Sequence, residues 1–383
     1  MRKRTFLLFF LILLNISNYM VFAYGSTNKE PDVKALGAVL IDFDSGRILW
    51  GKNINKPLAM ASTTKIMTAI LALEKGNLDD TVVVSKRAAI APKVKMELKE
   101  GEKIKLEYLM YALMMQSSND AAVAIAEHIC GSVEEFCAEM TKKANEIGAK
   151  DTVFITPNGL DSGDHHSTAY DMALIARYAL NNDEFVKIIN TREISFKSSV
   201  KSYSVINKNR LLSEYKGADG VKTGFTGKAG HCFVGSVKRD NLRLISVVLG
   251  SGWGTSGKEQ KWKDTKKILD YGFDNFEYRT ILNEGDEIGN IEVKRAKEKS
   301  VDICYGQSMT VCMKKGDNNP EIVKKVQDFV LAPAEEGMKV GKAEAFIGNE
   351  KVGEVDIILK SSIERHDFKS SVDKLFRNWL EAL

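Results

Sequence analysis

The spacing of apolar and polar positions divides the chain into stretches of different period. Arg2, Lys3 and Arg4 precede an apolar run from Phe6 to Leu14, and a mixed stretch follows that ends in Val21-Phe22-Ala23. A charged start, a short apolar core and small residues at the −3 and −1 sites predict a secretory signal peptide over residues 1–23. Asn15, Ser17 and Asn18 leave the run short of a membrane span. After a polar lead, Leu36–Phe43 and Arg47–Trp50 flank Asp44-Ser45-Gly46 and predict a hairpin. The middle of the chain has helical spacing. Ser132-Val133-Glu134-Glu135 is a capping box opening a helix that runs towards Gly148. Thr168 opens another, with Met172, Ile175, Ala176 and Ala179 on one face. Strands return at Cys232–Val237 and Leu242–Leu249, and Lys258–Phe273 reads as a closing helix. Strands at both ends with helices between predict an antiparallel sheet flanked by helices, in a domain spanning residues 33–277.

From about residue 280 the texture changes. Glu287–Val293, Ser300–Ile303, Met309–Met313, Lys342–Ile347 and Val352–Leu359 are short runs separated by Gly, Asn and Asp, predicting a small β-rich domain over 278–363. Residues 364–383 place Val372, Leu375, Phe376, Trp379, Leu380 and Leu383 on one helical face, an amphipathic helix suited to a membrane surface. Its four basic and four acidic residues balance, so attraction to anionic lipid does not assist it.

Composition narrows the class. A chain of 383 residues is long for one domain, so two globular units are expected. With 44% apolar residues, 28% charged residues and six prolines, it is neither disordered nor a polytopic membrane protein. The net charge of +4, from 55 basic and 51 acidic residues, excludes nucleic acid as the main partner. Without the 23 leading residues and their three cations, 360 residues and a charge of +1 remain. Cys130, Cys137, Cys232, Cys304 and Cys312 are odd in number and lack CxxC spacing. They predict buried, unpaired thiols; the one pairing left open is Cys304–Cys312.

The chemistry lies in three short motifs. Ser-x-x-Lys occurs five times, beginning at Ser26, Ser62, Ser198, Ser213 and Ser371, so the tetrad alone is uninformative. Ser62 differs in context: Ser62-Thr63-Thr64-Lys65 leads into the apolar helix Ile66–Leu73, which stops at Lys75-Gly76. Residues three apart share a helix face, so Ser62 Oγ and the Lys65 amine fall within reach. The helix dipole favours a serine alkoxide there, and burial or a second cation is needed to make Lys65 a base near neutral pH. Ser117-Ser118-Asn119 forms a turn between two helical runs, putting a hydroxyl and a carboxamide on one edge. Lys222-Thr223-Gly224, the only such triplet, lies in a glycine-rich strand that a substrate backbone can approach closely.

SxxK, SxN and KTG in this order resemble the catalytic motifs of penicillin-binding proteins, most closely the low-molecular-mass D-alanyl-D-alanine carboxypeptidases. Phe154–Asp171 and Asp219–Gly230 carry further likeness to that family. The resemblance implies an α/β (α+β) fold with an antiparallel sheet, a helical subdomain and a small β-rich C-terminal domain. It implies Ser62 as nucleophile, Lys65 as its base and Ser117 as proton relay to the leaving amine. Asn119 would orient the substrate amide or hold Lys65, and Lys222 and Thr223 would hold the substrate's terminal carboxylate. Gly224 belongs to the same binding strand, and the N–H groups of Ser62 and Phe225 would form the oxyanion hole. Two lysines aimed at Ser62 would disfavour each other's protonation.

The implied partner is a peptidoglycan stem peptide ending in D-Ala-D-Ala, with β-lactams as covalent inhibitors and no metal or cofactor. The implied location is the outer face of the cytoplasmic membrane or the wall space. A class A β-lactamase adds an ExxxN element, and no glutamate between Asn119 and Lys222 has asparagine four residues on. SSN in place of SDN and the β-rich extra domain are further departures from that class. A D,D-endopeptidase shares the same acyl donor, and a non-catalytic wall-binding protein is the alternative outside enzymes. His165 and His166 read as a cap or surface group rather than catalytic residues, and Lys258 as a solvated helix-start lysine.

Overall fold

Strand β1 (Gly37–Asp42) is buried at every position, because the sheet it joins is covered on both faces. Val39 and Ile41 pack into one apolar cluster with the helical part of the chain. Ala38 and Leu40 pack into another with Trp262, Ile268 and Leu269. A strand alternates its side chains between faces, so two covered faces require an unbroken apolar run. The computed structural model describes residues 29–366, with Val372, Phe376, Arg377, Trp379 and Leu380. The expected signal segment, and most of the expected C-terminal helix, lie outside the described residues.

β1 pairs with β2 (Ile48–Lys52) on one side and β9 (Leu242–Leu249) on the other. β8 (Gly230–Arg239) and β7 (Ala218–Thr226) complete an antiparallel sheet of order β2-β1-β9-β8-β7, leaving β7 at an edge. Between the two parts of the sheet run α1 (Lys65–Lys75), α2 (Asn119–Cys130), α3 (Val133–Ile147), α4 (Ala169–Ala179) and α5 (Asp183–Asn190). Two short ribbons, β3 (Thr81–Val83) with β4 (Lys103–Lys105) and β5 (Glu193–Lys197) with β6 (Ser202–Ile206), border the helical part. α6 (Gly254–Asn275) closes the far face of the sheet. The two helix starts expected from capping residues hold. Ser132 accepts from Glu135 N and Thr168 from Asp171 N, and Gly148 ends α3 in the left-handed region (φ 97°).

α1 is the central helix, with Lys65 through Ala72 buried. It stops at Gly76 as expected, but at φ −104°, where any residue can sit. The reason for glycine is steric: a Cβ would lie 2.6 Å from Ile129 Cδ1 and 2.7 Å from Leu106 Cδ2. The closing helix begins four residues before Lys258, which is therefore exposed one turn inside it.

The β-rich C-terminal domain follows directly. β10 (Phe276–Leu282) pairs with β13 (Met309–Lys314). β11 (Glu287–Lys294), β12 (Ser300–Tyr305), β14 (Glu321–Val326), β15 (Phe329–Leu331), β16 (Lys339–Ile347) and β17 (Glu350–Leu359) form a sheet of order β14-β16-β17-β12-β11-β15. β14 and β15 are edge strands without clear alternation, which hid them in the sequence. All five cysteines are free, so the Cys304–Cys312 bridge is not made; Cys312 packs in the α6 cluster instead. Arg47 Nη1 donates to the Cys312 carbonyl (2.7 Å) and Tyr278 Oη to Asp42 Oδ1 (2.6 Å), joining the hairpin to the second domain. No helix among the described residues is long and apolar enough to cross a membrane, which leaves an interfacial helix as it stood.

The entering chain is pinned by a buried carboxylate. Lys34 N and Ala35 N donate to the two oxygens of Asp264 (3.1 and 3.0 Å), and Gln260 Nε2 donates to Oδ1 (2.8 Å). Asp264→Ala strands these donors and should destabilise the domain by about 2–4 kcal/mol. Denaturant unfolding measures this, and a loss within error of zero would show that the pin is dispensable.

Candidate active site

α1 is entered through a tight turn, Ala61–Thr64, that carries Ser62. Ala61 sits at φ 49°, a conformation that costs a non-glycine residue energy and persists only when its surroundings enforce it. Two glycines do so. A Cβ on Gly159 would lie 2.0 Å from Ala61 O, and one on Gly224 would lie 3.1 Å from Ala61 Cβ, Met60 O and Ser62 N. The loop at 158–159 and strand β7 therefore close on the serine turn from different directions. Inside the turn, Thr63 Oγ1 donates to Met60 O (2.7 Å) and Thr64 Oγ1 to Ala61 O (2.8 Å).

Lys65 is fully buried and its amine has three oxygen neighbours: Ser62 Oγ at 3.0 Å, Asn119 Oδ1 at 2.8 Å and the Asn158 carbonyl at 2.5 Å. The Asn119 amide is oriented by its other end, where Nδ2 donates to Pro92 O (3.1 Å). Two of the three neighbours are carbonyl oxygens, which only accept. A neutral amine has two N–H bonds and one lone pair. With both N–H bonds directed at the carbonyls, the lone pair faces the Ser62 hydroxyl. Burial holds the Lys65 amine well below the usual lysine range, the Lys222 cation adds to this, and Asp120 opposes it. The arrangement suits proton transfer from Ser62 to Lys65.

Ser62, Lys65 and Asn119 are thus brought together as the sequence implied. Of the two roles open for Asn119, the structure shows the hold on Lys65. Ser117 ends the preceding helical turn at φ 68°, half-buried, and its hydroxyl makes no hydrogen bond among the described residues. Lys222 is buried on β7, and its amine donates to the Thr223 carbonyl (2.9 Å) rather than to Ser62. Burial, with Lys208 and Lys261 nearby, pushes it down to about 7. Of the two lysines expected near the serine, one bonds Ser62; Lys222 does lower Lys65 as expected, but burial is the larger cause. Gly224 lies against Ser62 N, and Phe225, half-exposed, stacks on His231 (4.3 Å between centroids).

Three contributors had no assigned role in the sequence. The Asn158 carbonyl, in the Asn-Gly step of the 154–171 segment, accepts from Lys65 and lies 3.3 Å from Ser62 Oγ, within reach of its hydroxyl when that is not turned to Lys65. Asp161 accepts from Thr226 Oγ1 (2.9 Å), tying the same loop to the end of β7. His165, read as a cap or surface group, is buried. Ile155 N donates to its Nδ1 (3.0 Å), which leaves Nε2–H to donate to Thr64 Oγ1 (2.9 Å). Burial pushes its pKa down to about 4, so it braces the serine turn as a neutral ring. His166 is half-buried and bonds Asp164. Backbone carbonyls and buried braces carry no residue-type signature, which is why only the family likeness of Phe154–Asp171 pointed here.

Known families and proteins resemble the chain over most of its length. The family described as D-alanyl-D-alanine carboxypeptidase matches residues 25–252, and the C-terminal domain of penicillin-binding protein 5 matches residues 276–365. The chain is 34% identical over 363 residues to D-alanyl-D-alanine carboxypeptidase DacF of Bacillus subtilis (strain 168), covering 93% of this chain and 92% of the relative. It is 30% identical to DacC of Escherichia coli (strain K12), covering 91% and 88%. Among solved structures, penicillin binding protein 5 from Haemophilus influenzae superposes with a TM-score of 0.73 at 30% identity, covering 88% of this chain and 99% of that one.

Gly224→Ala tests the closeness of β7 to the serine turn. The added methyl meets three atoms at 3.1 Å, so the strand should shift by a few tenths of an ångström and Ser62 acylation should slow roughly 10- to 100-fold. A stopped-flow acylation rate equal to the parent's would show that the approach does not matter.

Proposed function

The chain belongs to the D-alanyl-D-alanine carboxypeptidase family of penicillin-binding proteins, and from that premise we propose that it removes the terminal D-alanine of peptidoglycan stem pentapeptides through an acyl-enzyme on Ser62. The observation that carries the reading is the bonding of the Lys65 amine, with two carbonyls on one side and the Ser62 hydroxyl on the other. Ser62 Oγ attacks the carbonyl carbon between the two D-alanines as its proton passes to Lys65 Nζ. The N–H groups of Ser62 and Phe225 receive the oxyanion, where one missing donor costs about 100- to 1000-fold. The tetrahedral intermediate expels the D-alanine amine, which takes its proton by way of Ser117. Water then hydrolyses the ester and regenerates Ser62.

Lys222 and Thr223 hold the terminal carboxylate at the edge of β7. A β-lactam presents a carboxylate and a strained amide in the same relation, so it acylates Ser62 and leaves slowly. The leader at 1–23 exports the chain to the outer face of the cytoplasmic membrane or the wall space, and the C-terminal helix rests on the membrane surface. Val372, Phe376, Trp379 and Leu380 support that last reading, being helical and exposed.

Ser62→Ala should abolish D-alanine release and covalent labelling by a fluorescent penicillin, by at least about 1000-fold, with unfolding unchanged. A variant that still labels removes Ser62 as nucleophile. In the same assay, mass spectrometry of a pentapeptide-bearing, cross-linked muropeptide shows loss of one D-alanine for a carboxypeptidase, loss of a cross-link for an endopeptidase and no change for a binder.

The pH profile follows from the two lysines. Lys65 must be neutral to accept a proton, so kcat/KM should fall as pH drops through its lowered pKa. Lys222 must be charged to hold a carboxylate, so kcat/KM should also fall as pH rises through about 7. A bound carboxylate favours the charged form and moves the alkaline limb of kcat upward. A substrate amidated at its C-terminus should lose the alkaline limb; an unchanged limb would remove Lys222 from carboxylate binding.

A further inference from the structure

Directly after Asn119, on the first turn of α2, stands a carboxylate that the mechanism above does not use. Asp120 is fully buried, and its oxygens accept from three backbone N–H groups. Met96 N reaches Oδ1 at 3.0 Å, Leu98 N reaches Oδ2 at 3.1 Å, and Ala121 N reaches Oδ1 at 2.9 Å. The first two belong to the segment 91–98, which has no regular secondary structure and turns through Glu97 at φ 64°. That segment in turn holds Asn119 from two sides. Pro92 O accepts from Asn119 Nδ2 at 3.1 Å, and Val94 O accepts from Asn119 N at 2.7 Å.

The chain of bonds therefore closes on the site. α2 holds the segment through Asp120, the segment holds the Asn119 amide, and the amide oxygen holds the Lys65 amine at 2.8 Å. The Pro92 carbonyl adds to the demand of the Lys65 amine in deciding which end of the Asn119 amide faces Lys65. Turned over, the amide would present N–H bonds to an amine that needs an acceptor there.

We propose that Asp120 is a positioning residue for the acylation step, setting the orientation of Asn119 through the 91–98 segment and placing a carboxylate opposite in sign to Lys222 near the Lys65 amine. This rests on Lys65 being the base. The charged groups acting on Lys65 are Lys222 from β7 and Asp120 from α2, of opposite sign. A lysine drained of all proton affinity would be a poor base, since the useful pKa lies near the working pH. Burial and Lys222 both push Lys65 down, and Asp120 is the group that limits the fall.

The test uses the full chain and the pH dependence of acylation by a fluorescent penicillin. Asp120→Asn removes the charge and replaces one acceptor by a donor. It should slow acylation about 10-fold or more at the optimum and move the acid limb to lower pH, because Lys65 then protonates less readily. Asp120→Glu keeps the charge while displacing the carboxylate, so it should slow acylation and leave the limb where it was. A folded Asp120→Asn variant with the parent's acid limb overturns the proposal, since a merely structural residue would change the rate without moving the limb.

Amide hydrogen exchange of the unmodified protein covers the case in which neither variant folds. Met96 and Leu98 should exchange as slowly as the buried turn of α2, and fast exchange at both would overturn the proposal. Lys65→Ala separates this proposal from the reading beneath it. Fast acylation retained there refutes Lys65 as base, whereas loss there together with an unmoved limb in Asp120→Asn refutes only the role of Asp120.

Discussion

A lysine amine fully removed from water must either give up its charge or find oxygen neighbours, and at Lys65 it meets both conditions at once. Burial disfavours the ammonium form, and the Asn119 and Asn158 carbonyls satisfy the two N–H bonds that remain. Most of the surrounding architecture serves to keep those carbonyls in place. α1 carries Lys65 into the interior, the loop at 158–159 brings its carbonyl beneath the serine turn, and α2 brings Asn119 from the opposite side. Displacing any one of the three leaves a buried donor unsatisfied, which in an apolar interior costs about 1–3 kcal/mol.

The second lysine plays a different electrostatic part. Lys222 is buried among cations, with Lys208 and Lys261 depressing its affinity for a proton. On the proposed function an incoming carboxylate supplies the counter-charge, which links recognition to the protonation of Lys222. In the proposed roles the two lysines have opposite needs, one neutral and one charged, and they sit on separate elements, α1 and β7. Different neighbours, rather than different chemistry or burial, distinguish the surroundings of two identical side chains.

Much of this was legible in the chain itself. Alternation and capping residues located β1, β2, α3, α4, β8 and β9, and the three motifs located Ser62, Lys65, Asn119 and the KTG strand. What the sequence hid was mostly backbone. Asn158 acts through its carbonyl, Gly159 and Gly224 act through the atoms they lack, and His165 acts as a buried brace. None of these uses a residue type in a way that spacing alone betrays. The edge strands β14 and β15 and the ribbons β3–β4 and β5–β6 escaped for another reason: they are only three to six residues long and largely exposed. Gly76 was located correctly as a helix end but for a different cause, since the space it leaves is filled by Ile129 and Leu106.

The pairing of β1 with β9 has a temporal side. Gly37 lies opposite Leu249, so the central pair of the sheet joins residues more than two hundred positions apart in sequence. Contacts of such separation form late and slowly, because loop closure must precede any gain from them. β7, which closes on the serine turn, belongs to the same late segment of the chain. A growing or partly folded chain therefore carries Ser62 and Lys65 without the strand that completes their site. Under the proposed function, a truncated or stalled chain that lacks β7 would carry the nucleophile without a working site.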